Sequence, residues 1–297
     1  MSMLERPELS VIVPLYNEAA TVAGLFEEIR EVMDSVGRSY EMLAVDDGSA
    51  DGTAAALATL PFVRTLTHPY SKGNGAAVKT GLRHAVGRWV VLLDGDGQHD
   101  PKDIPALLKW TDTHELVVGS RTWGSPQSWA RRLANRFYNA LASYVAGHRV
   151  EDLTSGFRVA RREVLARFLP LLPNGFSYPA TSTLAFLKSG FSVSFVQVTM
   201  RARVGQSKVA PLRDGVGVFL LIVKTTALFS PLRVFTPVSL ASLGLGVLHA
   251  LYKMLLLDAR YTMLSVLFVT TGVLIFFIGL VSEQIAMLRF EQIQEDR

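Results

Sequence analysis

The run Asp94-Gly95-Asp96-Gly97-Gln98-His99-Asp100 sets two carboxylates one residue apart in a glycine-rich turn, with an amide oxygen two residues on. Hard oxygen donors of this kind suit Mg2+ or Mn2+, which complete their shells with phosphate oxygens and water. Asp-Gly pairs are also common turn formers, so the run means little alone. A calcium loop of the EF-hand type does not fit, because Gly97 comes too early and no glutamate closes the loop. Two other clusters have the same character, Pro14-Leu15-Tyr16-Asn17-Glu18 and Asp46-Asp47-Gly48-Ser49. If these acidic groups share a site they repel one another unless something positive sits among them, and a divalent cation is the natural candidate. Lys72-Gly73-Asn74-Gly75 lacks the Gly-Lys-Ser/Thr order of a phosphate-binding P-loop, and Val78 replaces the last glycine of a dinucleotide fingerprint. The chain has no cysteine, which excludes thiol nucleophiles, Cys-ligated zinc, iron–sulfur clusters and a disulfide scaffold.

The elements that must position these groups alternate. Leu9 to Val13, Glu41 to Val45, Phe62 to Leu66 and Trp89 to Leu93 read as strands. Helical segments follow over Ala19 to Val36, from Asp51, from Gly75 to Val86, and later over Trp129 to Ala146. Alternation predicts an α/β fold with a mostly parallel sheet covered by helices, and its ligand site belongs at the C-terminal strand ends. All three acidic clusters fall at such ends.

Charge divides this part of the chain. Residues 1–120 carry 10 Lys+Arg against 17 Asp+Glu, whereas residues 121–213 carry 14 against 3. The acidic half is suited to a metal ion and the basic half, net +11, to an anion or to anionic lipid headgroups. Nucleic acid is the weaker reading of the basic half, which adjoins very apolar sequence and holds no nucleic-acid module. From Val234 to Tyr252, and from Tyr261 to Ser282, no residue is charged. Each stretch, about 20 residues at about 1.5 Å per residue, is long enough to cross a bilayer. The expected organisation is a domain over 1–210, an interfacial helix over 211–231 with Lys224 snorkelling, a membrane hairpin over 232–284 (spans about 234–254 and 261–282), and a tail over 285–297. Residues 1–233 hold 26 of the 30 Lys+Arg, and the hairpin link offers only Lys253 and Arg260. The positive-inside tendency then puts the domain and the tail in the cytoplasm, on the plasma (inner) membrane. The polar start MSMLERPELS predicts no signal peptide.

VIVPLYNE, VDDGSADGT, KGNGAAVKTG, LLDGDGQHDP, VVGSR, DLTSGFR and GQSK, in this order, resemble inverting family 2 glycosyltransferases of the GT-A fold. The branch they resemble contains the dolichol-phosphate mannose synthases and bacterial polyprenyl-phosphate glycosyltransferases with a two-helix C-terminal hairpin. The resemblance covers residues 9–213. Processive polysaccharide synthases share the early motifs but carry a later Gln-x-x-Arg-Trp. Here the only Arg-Trp is Arg88-Trp89, ahead of the acidic turn.

The resemblance implies transfer of one hexose from a nucleotide sugar to undecaprenyl or dolichyl phosphate, with UDP-glucose slightly ahead of GDP-mannose. A processive or other-acceptor transferase and a non-catalytic nucleotide-sugar sensor are the alternatives. Pro14, Tyr16, Glu18, Val45, Asp46 and Asp47 would bind the nucleotide, together with Asp94 and Gly95. Asp94 and Asp96 would hold the sugar nucleotide and the metal, Mg2+ or Mn2+, with Gln98 as a further ligand and His99 shaping the loop. Arg121 would contact phosphate. Asp152 matches a proposed base position and would either aid the acceptor or orient Arg158 or nearby backbone. Arg121, Arg131, Arg132, Arg203 and Lys208 would gather the lipid phosphate, guanidinium being well matched to phosphate, whereas Arg136 is expected to be solvated. Some relatives suggest a homo-oligomer, a tetramer. No strong general base is needed, because a phosphate monoester with its second pKa near about 6 is already mostly ionised at neutral pH.

Overall fold

The computed structural model describes residues 6–121, 129–175, 177–201, 229–256 and 262–295. They fall into two compact units, Met1–Ala210 and Pro211–Arg297. The strands of the first unit are β1 (Leu9–Leu15), β2 (Tyr40–Asp46), β3 (Arg64–Thr67), β4 (Trp89–Leu92), β5 (Leu116–Arg121), β6 (Arg158–Arg161) and β7 (Val193–Val198). They form one sheet in the order β3-β2-β1-β4-β6-β5-β7. Its helices are α1 (Val22–Val36), α2 (Thr53–Ala58), α3 (Asn74–His84), α4 (Ile104–Leu108), α5 (Trp129–Ala146), α6 (Arg162–Arg167) and α7 (Tyr178–Lys188).

β1 is central to the parallel half, with Leu9 in register with Tyr40 on one side and Trp89 on the other. Val11, Ile12 and Val13 are wholly buried, as the apolar run of a strand covered on both faces requires. On one face Leu25, Phe26, Ile29 and Met33 of α1 join Val11, Val13, Met42 and Val91 in the core. On the other, the backbone of α3 comes down at Gly81 onto Ile12 and Val45. β6 runs antiparallel to both β4 and β5. Its first residue therefore lies at the edge where the parallel strands end, and residues 147–157 are delivered there.

Two boundaries differ from expectation. α1 starts at Val22 rather than Ala19, because the N–H groups of Glu18 and Ala19 are held by Thr53 Oγ1 and Asp51 Oδ2, at 2.9 and 3.1 Å. β3 starts at Arg64 because Val63 still closes a turn onto the Leu60 carbonyl.

In the second unit α8 (Pro231–Leu256) and α9 (Met263–Glu295) form a hairpin, and both are long and apolar enough to cross a membrane. Ser239 and Ser242 of α8 donate to the Gly272 and Phe268 carbonyls of α9, both at 2.8 Å, and His249 Nδ1 lies 2.8 Å from Ser265 Oγ. Small residues allow this approach: a Cβ on Gly272 would stand 2.7 Å from Leu243 Cγ. α9 continues through the expected tail, since residues 283–295 contain no glycine or proline and are rich in good helix formers. The expected interfacial helix lies almost wholly on residues 202–228, outside the described residues.

Candidate active site

The acidic clusters meet at one sheet edge because β1, β2 and β4 are parallel and end together. Asp94 follows β4, partly exposed, with Asn74 Nδ2 3.4 Å from Oδ1 and His99 Nε2 3.5 Å from Oδ2. Burial pushes the Asp94 carboxyl up, but His99, Asn74 and the more distant Arg158 outweigh it and hold the group below the usual carboxylate range. Gly156, in the loop before β6, passes directly over this carboxylate: a Cβ there would lie 2.2 Å from Asp94 Oδ2. Asp96 Oδ1 accepts from the Gln98 N–H at 3.1 Å and so closes the turn. His99 is buried against Phe157, with ring centroids 5.3 Å apart, and its Nδ1 has no partner among the described residues. It shapes the loop, as its sequence context predicts.

Two carboxylates and an amide oxygen on one partly exposed turn make a hard donor set. Among the described residues no group of three or more His, Asp or Glu side chains converges as a self-sufficient metal site. The set therefore fits Mg2+ or Mn2+ in a shell shared with substrate phosphate and water.

At the β1 and β2 ends Tyr16 is exposed, Asn17 and Glu18 are partly so, and Pro14 and Val45 are buried. The Val45 side chain packs under α3, so it lines the floor of the site rather than its surface. Asp46 accepts from the Ser49 N–H at 3.0 Å and caps the turn. Asp47 has both oxygens engaged, by His68 Nδ1 (2.6 Å) and Lys72 N–H (2.9 Å) on one, and by Ser71 Oγ and Gly73 N–H (each 2.8 Å) on the other. Burial raises its pKa, these donors lower it, and the donors prevail. Asp47 thus organises the loop 68–73 beside the site. His68, fixed on its other side by Thr80 Oγ1 at 2.9 Å, escaped the sequence reading. No motif ties a histidine 21 residues away to this aspartate.

Arg121, the last residue of β5, donates to Asp152 through Nε (2.7 Å), Nη2 (2.8 Å) and its own backbone N–H (3.2 Å). Asp152 also accepts from the Thr154 and Ser155 N–H groups, both at 3.1 Å. Burial drives the Asp152 carboxyl upward, yet Arg121 and these N–H groups leave it below its ordinary value. Burial disfavours the Arg121 charge, but Asp152 and then Asp94 more than restore it. Of the alternatives for Asp152, the geometry adopts backbone orientation and a guanidinium clamp, and the guanidinium is that of Arg121. Arg158 turns inward instead, wholly buried, donating to the Pro179 carbonyl (3.0 Å), Ser182 Oγ (2.6 Å) and the Ser155 carbonyl.

Arg201, also missed from the sequence, bridges Glu28 Oε2 of α1 (2.7 Å) and Asp100 Oδ1 (2.8 Å), while its N–H bonds the Gln98 carbonyl at 2.8 Å. It ties the chain leaving β7 to the acidic turn. Arg136 is exposed, as expected. The side chains of Arg131 and Arg132, and all of Arg203 and Lys208, lie outside the described residues.

The family model for glycosyl transferase family 2 matches residues 10–169, and one for the GtrB C-terminal hairpin matches residues 230–288. The chain is 27% identical over 309 residues to the undecaprenyl-phosphate 4-deoxy-4-formamido-L-arabinose transferase of Aeromonas hydrophila, covering 94% of this chain and 89% of that protein. The protein of the same name from Edwardsiella ictaluri is 32% identical over 183 residues, 57% of this chain and 56% of its own length. Among solved structures, glucosyl-3-phosphoglycerate synthase from Mycobacterium tuberculosis in complex with Mn2+, uridine diphosphate and glucosyl-3-phosphoglycerate aligns with a TM-score of 0.59 at 22% identity. That alignment covers 74% of this chain and 80% of that one. The same enzyme with Mn2+ and UDP-glucose gives 0.57 at 22% identity over 74% and 79%. This likeness is one of fold, the GT-A arrangement of a seven-stranded mixed sheet.

Proposed function

The chain belongs to glycosyl transferase family 2, and from that premise we propose that it transfers one sugar from a nucleotide sugar to the phosphate of a polyprenyl lipid, undecaprenyl phosphate foremost, with inversion. The observation that carries the reading is the Asp94-Gly95-Asp96 turn beside the Asp152-clamped Arg121 at one sheet edge, in a chain that continues into an apolar helical hairpin. The curated relatives named for undecaprenyl phosphate support the acceptor, and the Mn2+ and UDP complexes of the structural relative support a metal and a nucleotide.

On this reading Tyr16 presents its ring to the base, over a floor of Pro14 and Val45. Glu18, Asp46 and Asp47 shape the ribose side, the two aspartates through the loops they hold. Asp94 and Asp96, with Gln98, would hold Mg2+ or Mn2+, which when bound offsets the charge that builds on the departing diphosphate. Arg121 contacts phosphate with a guanidinium already set in place by Asp152. The acceptor phosphate arrives mostly ionised, so Asp152 has no proton to remove and acts through Arg121. Arg131, Arg132, Arg203 and Lys208 draw in the lipid phosphate, and the uneven Lys+Arg distribution puts this chemistry on the cytoplasmic face.

The sugar is a hexose, UDP-glucose ahead of GDP-mannose. The formamido-arabinose named for the relatives is the competing donor sugar. The test is transfer from UDP-glucose, GDP-mannose and UDP-4-deoxy-4-formamido-L-arabinose into solvent-extractable lipid, followed by NMR of the anomeric centre. The expected product is one sugar on the lipid phosphate with inverted configuration. Retention, or transfer that persists without lipid phosphate, would overturn the reading.

A further inference from the structure

α5 carries an apolar stripe that the fold leaves uncovered. Leu133, Phe137 and Tyr144 are 63%, 59% and 56% exposed, and exposed Ala140 lies between them. At about 100° per residue the four occupy a sector of only about 60°. The helix cannot roll to hide them. Its opposite side buries Ala142, Val145 and Ala146, Asn139 Oδ1 accepts from the Leu153 N–H at 3.0 Å, and Ser143 Oγ accepts from the Val150 N–H at 2.9 Å. Aligned large apolar side chains held in the open mark a contact surface rather than scattered exposure.

We propose that this stripe docks α5 onto the bilayer surface, among anionic lipid headgroups. Phe and Tyr beside arginine make the composition of an interfacial helix, whose apolar side chains enter the acyl boundary while cations meet lipid phosphates. Arg136 is exposed beside the stripe, and the segment 121–213 is net +11. Against a second copy of the chain that positive charge would face its own like, whereas an anionic membrane complements it. The hairpin ties the chain to a bilayer, so docking proceeds at high effective concentration and needs little intrinsic affinity. The inference does not depend on the transferase reading.

The absence of cysteine makes the test direct. Full-length Leu133→Cys, Phe137→Cys and Tyr144→Cys proteins, and Ser35→Cys on α1 as control, are labelled with an environment-sensitive fluorophore in nanodiscs of phosphatidylcholine with phosphatidylglycerol. A blue shift and strong quenching by spin-labelled lipid are expected at 133, 137 and 144 but not at 35. Loss of the anionic lipid should weaken the effect. A variant that melts well below wild type is replaced by Ala140→Cys on the same stripe. Unquenched stripe positions, equal quenching at 35, or a signal that follows protein concentration and is accompanied by disulfide linkage between chains of the unlabelled Phe137→Cys protein would overturn the proposal. The last of these would assign the stripe to self-association.

Discussion

Replacing Asp152 with asparagine leaves one acceptor oxygen where Arg121 Nε and Nη2 and three N–H groups now share two charged ones. Hydrogen bonds to a charged group are worth about 1.5–3 kcal/mol each. The Asp152 side chain is 6% exposed but that of Arg121 is 22%, so the stranded guanidinium recovers some hydration. The net loss should therefore stay near about 2–4 kcal/mol, below the sum of two such bonds. For a domain of this size that lowers Tm by roughly 5–15 °C. If Asp152 acts through Arg121, Asp152→Asn, Arg121→Lys and the double variant form a strongly non-additive cycle. Each single substitution should cost most of the activity and the double little more, with KM for lipid phosphate rising in each. The assay is steady-state transfer over a range of pH, with Tm measured alongside. Asp152→Asn that abolishes turnover while Arg121→Lys preserves it, with Tm unchanged, would refute the clamp and make Asp152 a base.

Gly156→Ala forces a methyl against the Asp94 carboxylate, 2.2 Å from Oδ2. A displacement of that order should cost about 100-fold in turnover and weaken Mn2+ binding followed by electron paramagnetic resonance. Arg201→Ala removes two partly exposed ion pairs and should cost only about 1 kcal/mol of stability, read as a Tm shift of about 2–4 °C. The folded-state pKa values of Asp47 and Asp152 are depressed. Their contribution to stability is therefore complete above the unfolded value of about 3.9 and lost as pH falls through the lower folded values. Melting curves should hold from neutrality to about pH 5 and then decline, less steeply in Asp152→Asn. Gly272→Val drives side-chain carbons into Leu243 and should destabilise the hairpin in detergent, measured by thermal aggregation.

The acidic strand ends were legible because a parallel strand's apolar run stops abruptly at the edge where ligands bind. Asp94 and Asp96 follow Val90-Val91-Leu92-Leu93 without a break. The direction of β6 was not legible, since Arg158-Val159-Ala160-Arg161 reads alike either way, yet it decides which residues reach the edge. Hence the partner of Asp152 could not be read from proximity in sequence. Arg158, six positions away, opens β6 and turns into the core toward Ser182. Arg121, 31 positions back, ends the neighbouring strand at the same edge. Gly156 looked like part of a motif, and only the fold shows that its missing side chain makes room for Asp94. Val45 looked like a nucleotide contact, and its place on the α3 side of β2 puts it beneath the site.

Transfer of labelled sugar into undecaprenyl phosphate by purified full-length protein, with Mn2+ or Mg2+ and then with chelator, in wild type and Asp96→Ala, tests the central claim most directly. Metal-dependent glycolipid lost in an Asp96→Ala protein of unchanged melting temperature is the predicted result. Glycolipid formation that survives both the chelator and the substitution would contradict it.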